Sequence, residues 1–597
     1  MKRISKIVSL TLCVVLVLTG CGSSSSKKSN DAKVSKISMK KWKYNSDNDV
    51  YYQVKIKYCA NPADTKYETL GIFVPGKYMT GTKNSDGTYT CKINKKGKVG
   101  DYNAMSAPMV MPVNTPGYSS MAAPSDYSSD IATYTNAGLI YVYAGCRGRD
   151  EGAPLGVTDL KAAIRYIRYN SDLLPGSSKD FFSFGMSGGG AQSALLGATG
   201  DSKLYDKYLN KIGAVSSESD AVKGSMCWCP ITNLDTANEA YEWNMGSTRS
   251  NLSDDMKALS NGLATEYAKY INKLGLKDSN GETLTLEKSD SGIYQKGSYY
   301  DYIKSEIETS LNNFLEDTKF PYTANSNNQM EGQGGPPSGE MPSGMKGEKP
   351  SDMNGEKPSG EMPNDNSKDI SNSNDNNKSS DNSANDNVKR TNSSSGIALN
   401  GTYKTAKAYI KALNKTGTWV KYDSKTNKAT ITSISKFAKA MKNASKDVGA
   451  FDDLNKSQAE NTLFGYGDGK GAHFDLTMAK LLKNNKTYGS SYSKDLKKKD
   501  SLGNTVDVRL NMYNPMYYLC DYYDGYKTSN IAKYFRIRTG INQGDTAVNT
   551  EMNLVLALKN YGSNVDFATV WGQGHTEAER NGNSSDNFIK WINECMK

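Results

Sequence analysis

Residues 181–193 read Phe-Phe-Ser-Phe-Gly-Met-Ser-Gly-Gly-Gly-Ala-Gln-Ser, and the predicted fold follows from this stretch. The apolar run 181–184 predicts a strand, and the small residues 191–196 suit a helix. Between them, residues 185–189 match the nucleophile elbow, in which glycines permit a tight strand-to-helix turn and a serine hydroxyl projects at the sheet edge. The chain has 54 glycines, so a match to this motif can arise by chance. The predicted strand before the motif and the predicted helix after it make the match specific. In that context it predicts Ser187 as a nucleophile.

Apolar runs on both sides of the elbow predict the other strands of one sheet. Helices are predicted between them, because residues 160–167 repeat apolar side chains at the helical spacing and 549–561 and 586–595 have similar patterns. Strands that alternate with helices indicate an α/β fold, with a mostly parallel sheet flanked by helices. The predicted strands lie at 50–59, 69–74, 108–113, 139–144, 225–229, 534–538 and 565–570.

The middle of the chain interrupts this pattern. Residues 325–396 consist mainly of Gly, Pro, Ser, Asn, Asp and Lys, a composition that cannot bury enough apolar surface to fold, so we predict disorder there. The flanking segments have helical patterns, and 246–510 as a whole is predicted to be an inserted cap. The core is then split into an N-terminal part, 46–245, and a C-terminal part, 511–597.

The N-terminus has the pattern of an export signal. Basic residues precede an apolar run of about 12 residues, which is too short to span a bilayer, and the sequence Leu-Thr-Gly-Cys follows at 18–21. This resembles a bacterial lipoprotein signal, with 1–20 as signal peptide, Cys21 lipidated and 21–45 as a flexible tether. We therefore predict an extracytoplasmic protein anchored to the membrane by lipid. The alternative is an ordinary secretory peptide in which Cys21 is incidental.

Charge and cysteine content narrow the possible functions. The net charge of +11 is spread along the chain, which indicates surface solvation and argues against nucleic-acid binding. Nine cysteines include Cys13 and Cys21, and the remaining seven cannot all pair. The sequence has no Cys-x-x-Cys and two histidines, so we predict no structural metal and no cofactor.

A serine nucleophile needs a histidine base and a carboxylate that orients the base. His575 follows the predicted strand 565–570, at the sheet edge where open α/β sheets place their ligand loops. Asp545 follows the preceding strand and gives the chain order Ser, Asp, His. The alternatives are His473, which lies in the cap, and Asp566, which begins the last strand.

The transition state of acyl transfer also needs donors for an oxyanion. Gly188 N–H is the first candidate, because it follows the nucleophile. The second is expected from the loop 114–119, Asn-Thr-Pro-Gly-Tyr-Ser, with the backbone N–H of Tyr118 or an immediate neighbour as the favoured donor. The alternative is that Pro-Gly in this loop only forms a turn.

Together with further stretches, these residues resemble the bacterial subtype B tannase and feruloyl-esterase-like group of α/β-hydrolases. The resemblance implies an α/β-hydrolase fold and a Ser-Asp-His triad beneath the cap. It also implies activity on esters of hydroxylated aromatic acids. The stretches that carry it are Gly145-Cys-Arg-Gly-Arg149, Asp159-Leu-Lys-Ala-Ala163, residues 185–193, Cys229-Pro-Ile-Thr-Asn-Leu-Asp235, Glu460-Asn-Thr-Leu-Phe-Gly465 and Asn514-Pro-Met-Tyr517.

In that family a lysine and a glutamate of the cap, with an aspartate two residues beyond the triad acid, hold the phenolic hydroxyls. Lys446 and Glu460 match the first two positions, but the third is Ala547. The loss of one hydrogen-bond acceptor costs about 1 to 3 kcal/mol of selectivity, so the pocket is expected to favour an acid with fewer hydroxyls or another acyl group. The alternative for Lys446 and Glu460 is a solvated cap surface.

The sequence thus predicts a serine carboxylic-ester hydrolase that acts on a small-molecule ester through an acyl-enzyme. A peptidase or acyltransferase on the same fold is the alternative within enzymes. A non-catalytic surface lipoprotein that captures solutes is the alternative outside them. The oligomeric state, the disulfide pairing and the role of the predicted disordered segment do not follow from the sequence.

Overall fold

In the computed structural model, which describes residues 30–324, 399–442 and 444–597, nine strands form one sheet. Most of the predicted strands have bounds close to those expected, and the elbow strand is longer than its apolar run. Within the described residues the strands are, in chain order, β1 Lys43–Asn45, β2 Val50–Lys57, β3 Thr69–Pro75, β4 Met79–Lys83, β5 Tyr89–Ile93, β6 Lys98–Val99, β7 Tyr102–Asn103, β8 Pro108–Val113, β9 Ile140–Ala144, β10 Ser177–Met186, β11 Gly224–Trp228, β12 Glu287–Ser289, β13 Gly292–Lys296, β14 Tyr322–Ala324, β15 Gly401–Tyr403, β16 Val420–Asp423, β17 Lys428–Ile431, β18 Tyr534–Gly540 and β19 Asn564–Val570.

Helices cover the sheet and build the segment between its two halves. The predicted helix at 160–167 is part of a longer one, and those predicted near the C-terminus are α15 and α16. The helices are α1 Ala132–Asn136, α2 Leu155–Tyr169, α3 Gly188–Ala198, α4 Asp206–Lys211, α5 Ala237–Met245, α6 Asp254–Leu274, α7 Ser298–Asp317, α8 Ala406–Leu413, α9 Ile434–Phe437, α10 Ala459–Leu463, α11 Leu476–Leu481, α12 Gly489–Leu496, α13 Val506–Met512, α14 Pro515–Leu519, α15 Val548–Tyr561 and α16 Ser584–Cys595.

The sheet is mostly parallel, as predicted. Its strand order is β1-β2-β3-β9-β8-β10-β11-β18-β19. The pairs from β9 to β19 are parallel, and those from β1 to β9 are antiparallel. Every residue of β3, β8 and β11 is buried, which explains why these strands are continuous apolar runs rather than alternating ones. Because β10, β11, β18 and β19 are parallel neighbours, the carboxyl ends of β10, β18 and β19 lie along one edge of the sheet.

The predicted cap lies between β11 and β18 in the chain, and it is not wholly helical. Three two-stranded antiparallel ribbons accompany its helices within the described residues: β12-β13, β14-β15 and β16-β17. In the second ribbon, Ala324 pairs with Gly401, so the described residues on either side of 325–398 lie next to each other. The predicted disorder at 325–396 lies outside the described residues.

The predicted tether is too long at its C-terminal end. Val34, Ile37 and Trp42 are buried, with Trp42 fully inaccessible, and β1 pairs with β2 at the sheet edge. The segment 34–45 is therefore packed against the core through these three side chains, whose burial stabilises the fold. Cys21 and the predicted signal lie outside the described residues. Among the helices that are described, none has the length and hydropathy needed to span a bilayer.

A buried ion network ties α2 to the chain before β11. Asp220 accepts hydrogen bonds from Lys161 Nζ at 2.6 Å and from Arg165 Nε at 2.7 Å, and Lys161 and Asp220 are almost completely inaccessible. Burial would raise the pKa of Asp220, but the two cations outweigh it and lower that pKa below its usual value. The aspartate is thus charged, and its removal would leave two buried cations without their shared partner.

We predict that Asp220→Asn destabilises the fold by about 3 to 5 kcal/mol, because breaking a buried ion pair leaves an uncompensated charge. Urea unfolding of the purified protein measures the change. Asp172→Asn is the matched control, because Asp172 forms an exposed pair with Lys36 at 3.2 Å, and such pairs contribute about 0 to 1 kcal/mol. Equal stability of the two variants would contradict the assignment of this network as a structural tie.

Candidate active site

Ser187 lies in a strained turn between β10 and α3. Its backbone has φ 62° and ψ −124°, a region that non-glycine residues rarely occupy and that is typical of active-site turns. The turn is also tightly packed, because a Cβ atom on Gly189 would lie 1.9 Å from the carbonyl oxygen of Val113. The absence of a side chain at Gly189 therefore allows the turn to approach β8. Close packing of the turn against β8 stabilises the strained backbone conformation of Ser187. This is the geometry that the elbow motif predicts.

The serine hydroxyl meets a histidine from the other end of the chain. Ser187 Oγ lies 2.7 Å from His575 Nε2, and the two residues are 388 positions apart. His575 follows β19, and the parallel sheet brings the carboxyl end of β19 to the same edge as that of β10. His473, the other histidine, is fully buried in the cap, where its Nδ1 lies 2.7 Å from Asp452 and its ring stacks on Tyr492. Those contacts give His473 a structural role.

The predicted acid lies near the histidine but does not contact it directly. Asp545 Oδ2 is 4.0 Å from His575 Nδ1, and the aspartate side chain is 51% exposed. Asp545 is not the N-cap of α15, since Ala547 occupies that position. Asp566 instead forms ion pairs with Arg538 and Arg536 on the neighbouring strand. Asp545 is thus the acid that the fold brings to the histidine, at ion-pair distance.

The direct partner of His575 Nδ1 is Gln543, whose Oε1 lies 2.6 Å away. The amide nitrogen of Gln543 donates to Glu551 Oε1, also at 2.6 Å. Sequence reasoning missed both residues. A glutamine two positions before Asp545 belongs to no motif, and Glu551 has the spacing of an ordinary helical residue of α15. The buried side of His575 is therefore a hydrogen-bonded chain rather than a single carboxylate.

The loop predicted to complete the oxyanion hole lies against the elbow. A Cβ atom on Gly188 would lie 2.5 Å from Tyr118 N. However, Tyr118 N–H donates to Thr115 O at 2.9 Å, so this group is used within its own turn. Gly188 N–H belongs to the first turn of α3, where backbone N–H groups have no helical acceptor. In this arrangement the helix N-terminus is the better-placed donor, and Tyr118 N–H becomes available only if the turn rearranges.

Two predicted cap residues lie near the catalytic loops. Glu460, on α10, is 4% exposed. Burial raises the pKa of Glu460, the positive charge of Lys446 opposes part of the rise, and the charges of Asp545 and Arg149 also act on it. Arg149 Nη1 donates to Gly117 O, in the 114–119 loop, at 2.9 Å. The buried carboxyl group of Glu460 is therefore influenced by two cations, Lys446 of the cap and Arg149 of the core, near the 114–119 loop.

Other chemistry-bearing groups contribute little to this site. The seven cysteines of the described residues are buried free thiols. Across 30–324, 399–442 and 444–597, no group of three or more His, Cys, Asp or Glu side chains is arranged to hold a metal ion.

Comparisons with known proteins bear on the fold of the chain. The BD-FAE family model matches residues 105–273, a range that includes Ser187 and Tyr118 and ends before Asp545 and His575. No curated protein matches the chain. Among solved structures, the chain is similar to a Fusobacterium nucleatum tannase, with 24% identity, a TM-score of 0.64 and coverage of 92% of this chain and 95% of that one.

Two further structures show the same likeness. A Lactobacillus plantarum tannase is 22% identical with a TM-score of 0.62, and the match covers 92% of this chain and 95% of that one. A tannin acyl hydrolase in complex with 3,4-dihydroxybenzoate is 23% identical with a TM-score of 0.62, covering 92% and 94%. These matches confirm the predicted fold. The chain has the α/β-hydrolase fold of the tannases, and helices and two-stranded ribbons lie between β11 and β18 in the chain.

Proposed function

We propose that this protein is a serine carboxylic-ester hydrolase of the tannase and feruloyl-esterase type. The observation that carries the proposal is the 2.7 Å contact between Ser187 Oγ and His575 Nε2, made by a serine in a strained elbow. The BD-FAE match and the likeness to tannases support the same class of reaction. Each relative alone supports only the fold, whereas the serine and histidine supply the chemistry.

The reaction follows from the positions of these groups. His575 Nε2 takes the proton of Ser187 as Oγ bonds to the ester carbonyl carbon, and Gly188 N–H with a donor of the 114–119 loop stabilises the oxyanion. His575 then gives the proton to the departing alcohol, which leaves an acyl-enzyme. Water, deprotonated by His575, attacks that acyl group and releases the acid. Asp545 stabilises the imidazolium by its charge.

The proposed acyl group is a hydroxylated aromatic acid. Tannin acyl hydrolase structures of the same fold have been solved in complex with 3,4-dihydroxybenzoate and with ethyl gallate. In this chain, buried Glu460 can accept from a phenolic hydroxyl and Lys446 can donate to one. Ala547, which is fully buried at the start of α15, offers no third polar side chain. We therefore infer a preference for acids with fewer hydroxyls than gallate.

We predict that the wild-type protein hydrolyses one or more esters in a panel of acetyl, butyryl, feruloyl and galloyl esters. Ser187→Ala should lower kcat by roughly a millionfold, as loss of the serine does in comparable triads. Initial rates measured on both proteins check this. Asp566→Asn is the control, since its ion pairs lie within the sheet, and it should retain the activity. A folded wild-type protein that hydrolyses none of these esters would contradict the proposal.

We predict that Glu460→Ala lowers kcat/KM for phenolic esters relative to aliphatic esters by roughly 5- to 150-fold, the equivalent of a lost hydrogen bond of about 1 to 3 kcal/mol. Paired assays on feruloyl and butyryl esters measure the ratio. Asp468→Ala is the matched control, because Asp468 is an exposed carboxylate of the same cap. An unchanged ratio in Glu460→Ala would remove Glu460 from the acyl pocket.

We also propose that the protein is exported and anchored to the membrane through a lipid on Cys21. The support is the order of basic residues, apolar run and Leu-Thr-Gly-Cys at 18–21, together with four serines that follow within the next few residues. Such an anchor would hold the esterase outside the cytoplasm, where it would act on small-molecule esters from the surroundings.

We predict that Cys21→Ala releases the protein from the membrane fraction, because one cysteine would carry the anchoring lipid. Fractionation of expressing bacteria, followed by immunoblotting, measures the distribution. Cys59→Ala is the control, since Cys59 is buried in the core and its loss should leave the distribution unchanged. Retention of Cys21→Ala in the membrane would contradict lipid anchoring at this residue.

A further inference from the structure

The buried side of His575 contacts an amide rather than a carboxylate. His575 Nδ1 lies 2.6 Å from Gln543 Oε1 and 4.0 Å from Asp545 Oδ2. Only the first distance is that of a hydrogen bond. Gln543 is 2% exposed, whereas half of the Asp545 side chain is open to solvent. Gln543 therefore fixes the imidazole ring, because its hydrogen bond is shielded from competing water.

The Gln543 amide has one orientation in this environment. Its nitrogen donates to Glu551 Oε1 and to Thr539 Oγ1, each at 2.6 Å, so its carbonyl oxygen faces the histidine. A carbonyl oxygen can only accept, which requires His575 Nδ1 to carry the proton. The lone pair is then on Nε2, where it can accept the proton of Ser187. This is the tautomer that a general base at this position needs.

Glu551 accepts the hydrogen bond that sets the orientation of the Gln543 amide, and it does so in a buried environment. It is fully buried on α15 and close to Lys442, which is also buried. Burial raises the pKa of Glu551 and lowers the pKa of Lys442, while the charge of each opposes the shift of the other. In either protonation state Glu551 keeps an oxygen that accepts from the Gln543 amide. The orientation of the amide thus persists whether Glu551 is charged or neutral.

We propose that Gln543, oriented by Glu551, is the positioning residue that keeps His575 in its Nδ1–H tautomer. The proposal rests on the proposed esterase function, because it assigns the residues that prepare the base of that reaction. Asp545 then has a separate role. At 4.0 Å it makes no hydrogen bond to the ring, and its charge favours the imidazolium formed when Ser187 attacks.

The tautomer can be measured without any substrate. The chain has two histidines, so protein labelled with [15N]histidine gives few ring signals, and His473→Gln identifies those of His575. Above the usual histidine pKa of about 6.5, the wild-type spectrum should show a protonated Nδ1. Gln543→Ala should shift His575 towards the Nε2–H form. Asn553→Ala is the matched control, a buried amide on α15 that bonds Tyr299 and Tyr267 instead, and it should leave the tautomer unchanged.

A paired substitution tests the same idea by restoring the acceptor. In the double variant Gln543→Glu with Glu551→Gln, the new amide at 551 can donate to the carboxylate at 543, whose other oxygen can accept from Nδ1. The double variant should therefore keep the Nδ1–H tautomer and turnover within about tenfold of wild type. Gln543→Ala should lose roughly 10²- to 10⁴-fold in kcat, the upper figure being the loss when the wrong tautomer is imposed, with KM changed less than about twofold.

The readouts separate this proposal from the esterase proposal. If no ester is hydrolysed by wild type but Gln543→Ala still changes the tautomer, the positioning contact stands and the assigned reaction falls. If wild type is active and Gln543→Ala keeps both the tautomer and kcat, the positioning role is wrong. A change of tautomer in Asp545→Asn, with none in Gln543→Ala, would likewise overturn it and assign the orienting role to Asp545.

Discussion

The hydrogen bond between Ser187 and His575 depends on the parallel order of the sheet. The two residues are 388 positions apart in the chain, and they meet because β10 and β19 run in the same direction with β11 and β18 between them. Strands in this arrangement present their following loops at one edge. The cap is inserted between β11 and β18, so the long connection neither separates those strands nor displaces the histidine.

Polar and charged groups surround His575 on two sides. On the buried side, Gln543 and Glu551 fix the ring through hydrogen bonds that exclude water. On the side of Asp545, the charges of Lys446 and Asp545 act on the buried carboxyl group of Glu460 in the cap. The uncharged Gln543 amide can donate to Glu551 and avoids the repulsion that a second buried carboxylate at this position would create.

The sequence predicted the parts of the site that local pattern or strand order determines. Ser187 lies in a motif with a distinct backbone conformation, and His575 follows an apolar run that could be recognised as a strand. Gln543 and Glu551 could not be predicted, because their contact depends on how α15 is rotated against β18. Tyr118 was predicted from the position of its loop, but its N–H is used inside a turn whose hydrogen bonds the sequence does not specify.

Labelling with a fluorophosphonate tests the central claim that Ser187 is an activated nucleophile. Such a probe bonds covalently to a serine only when a base activates it. We predict one adduct per chain, on the peptide that contains Ser187, which is lost in His575→Ala while that variant stays folded. An adduct on another residue, or equal labelling of Ser187 in His575→Ala, would show that the 2.7 Å contact does not activate the serine.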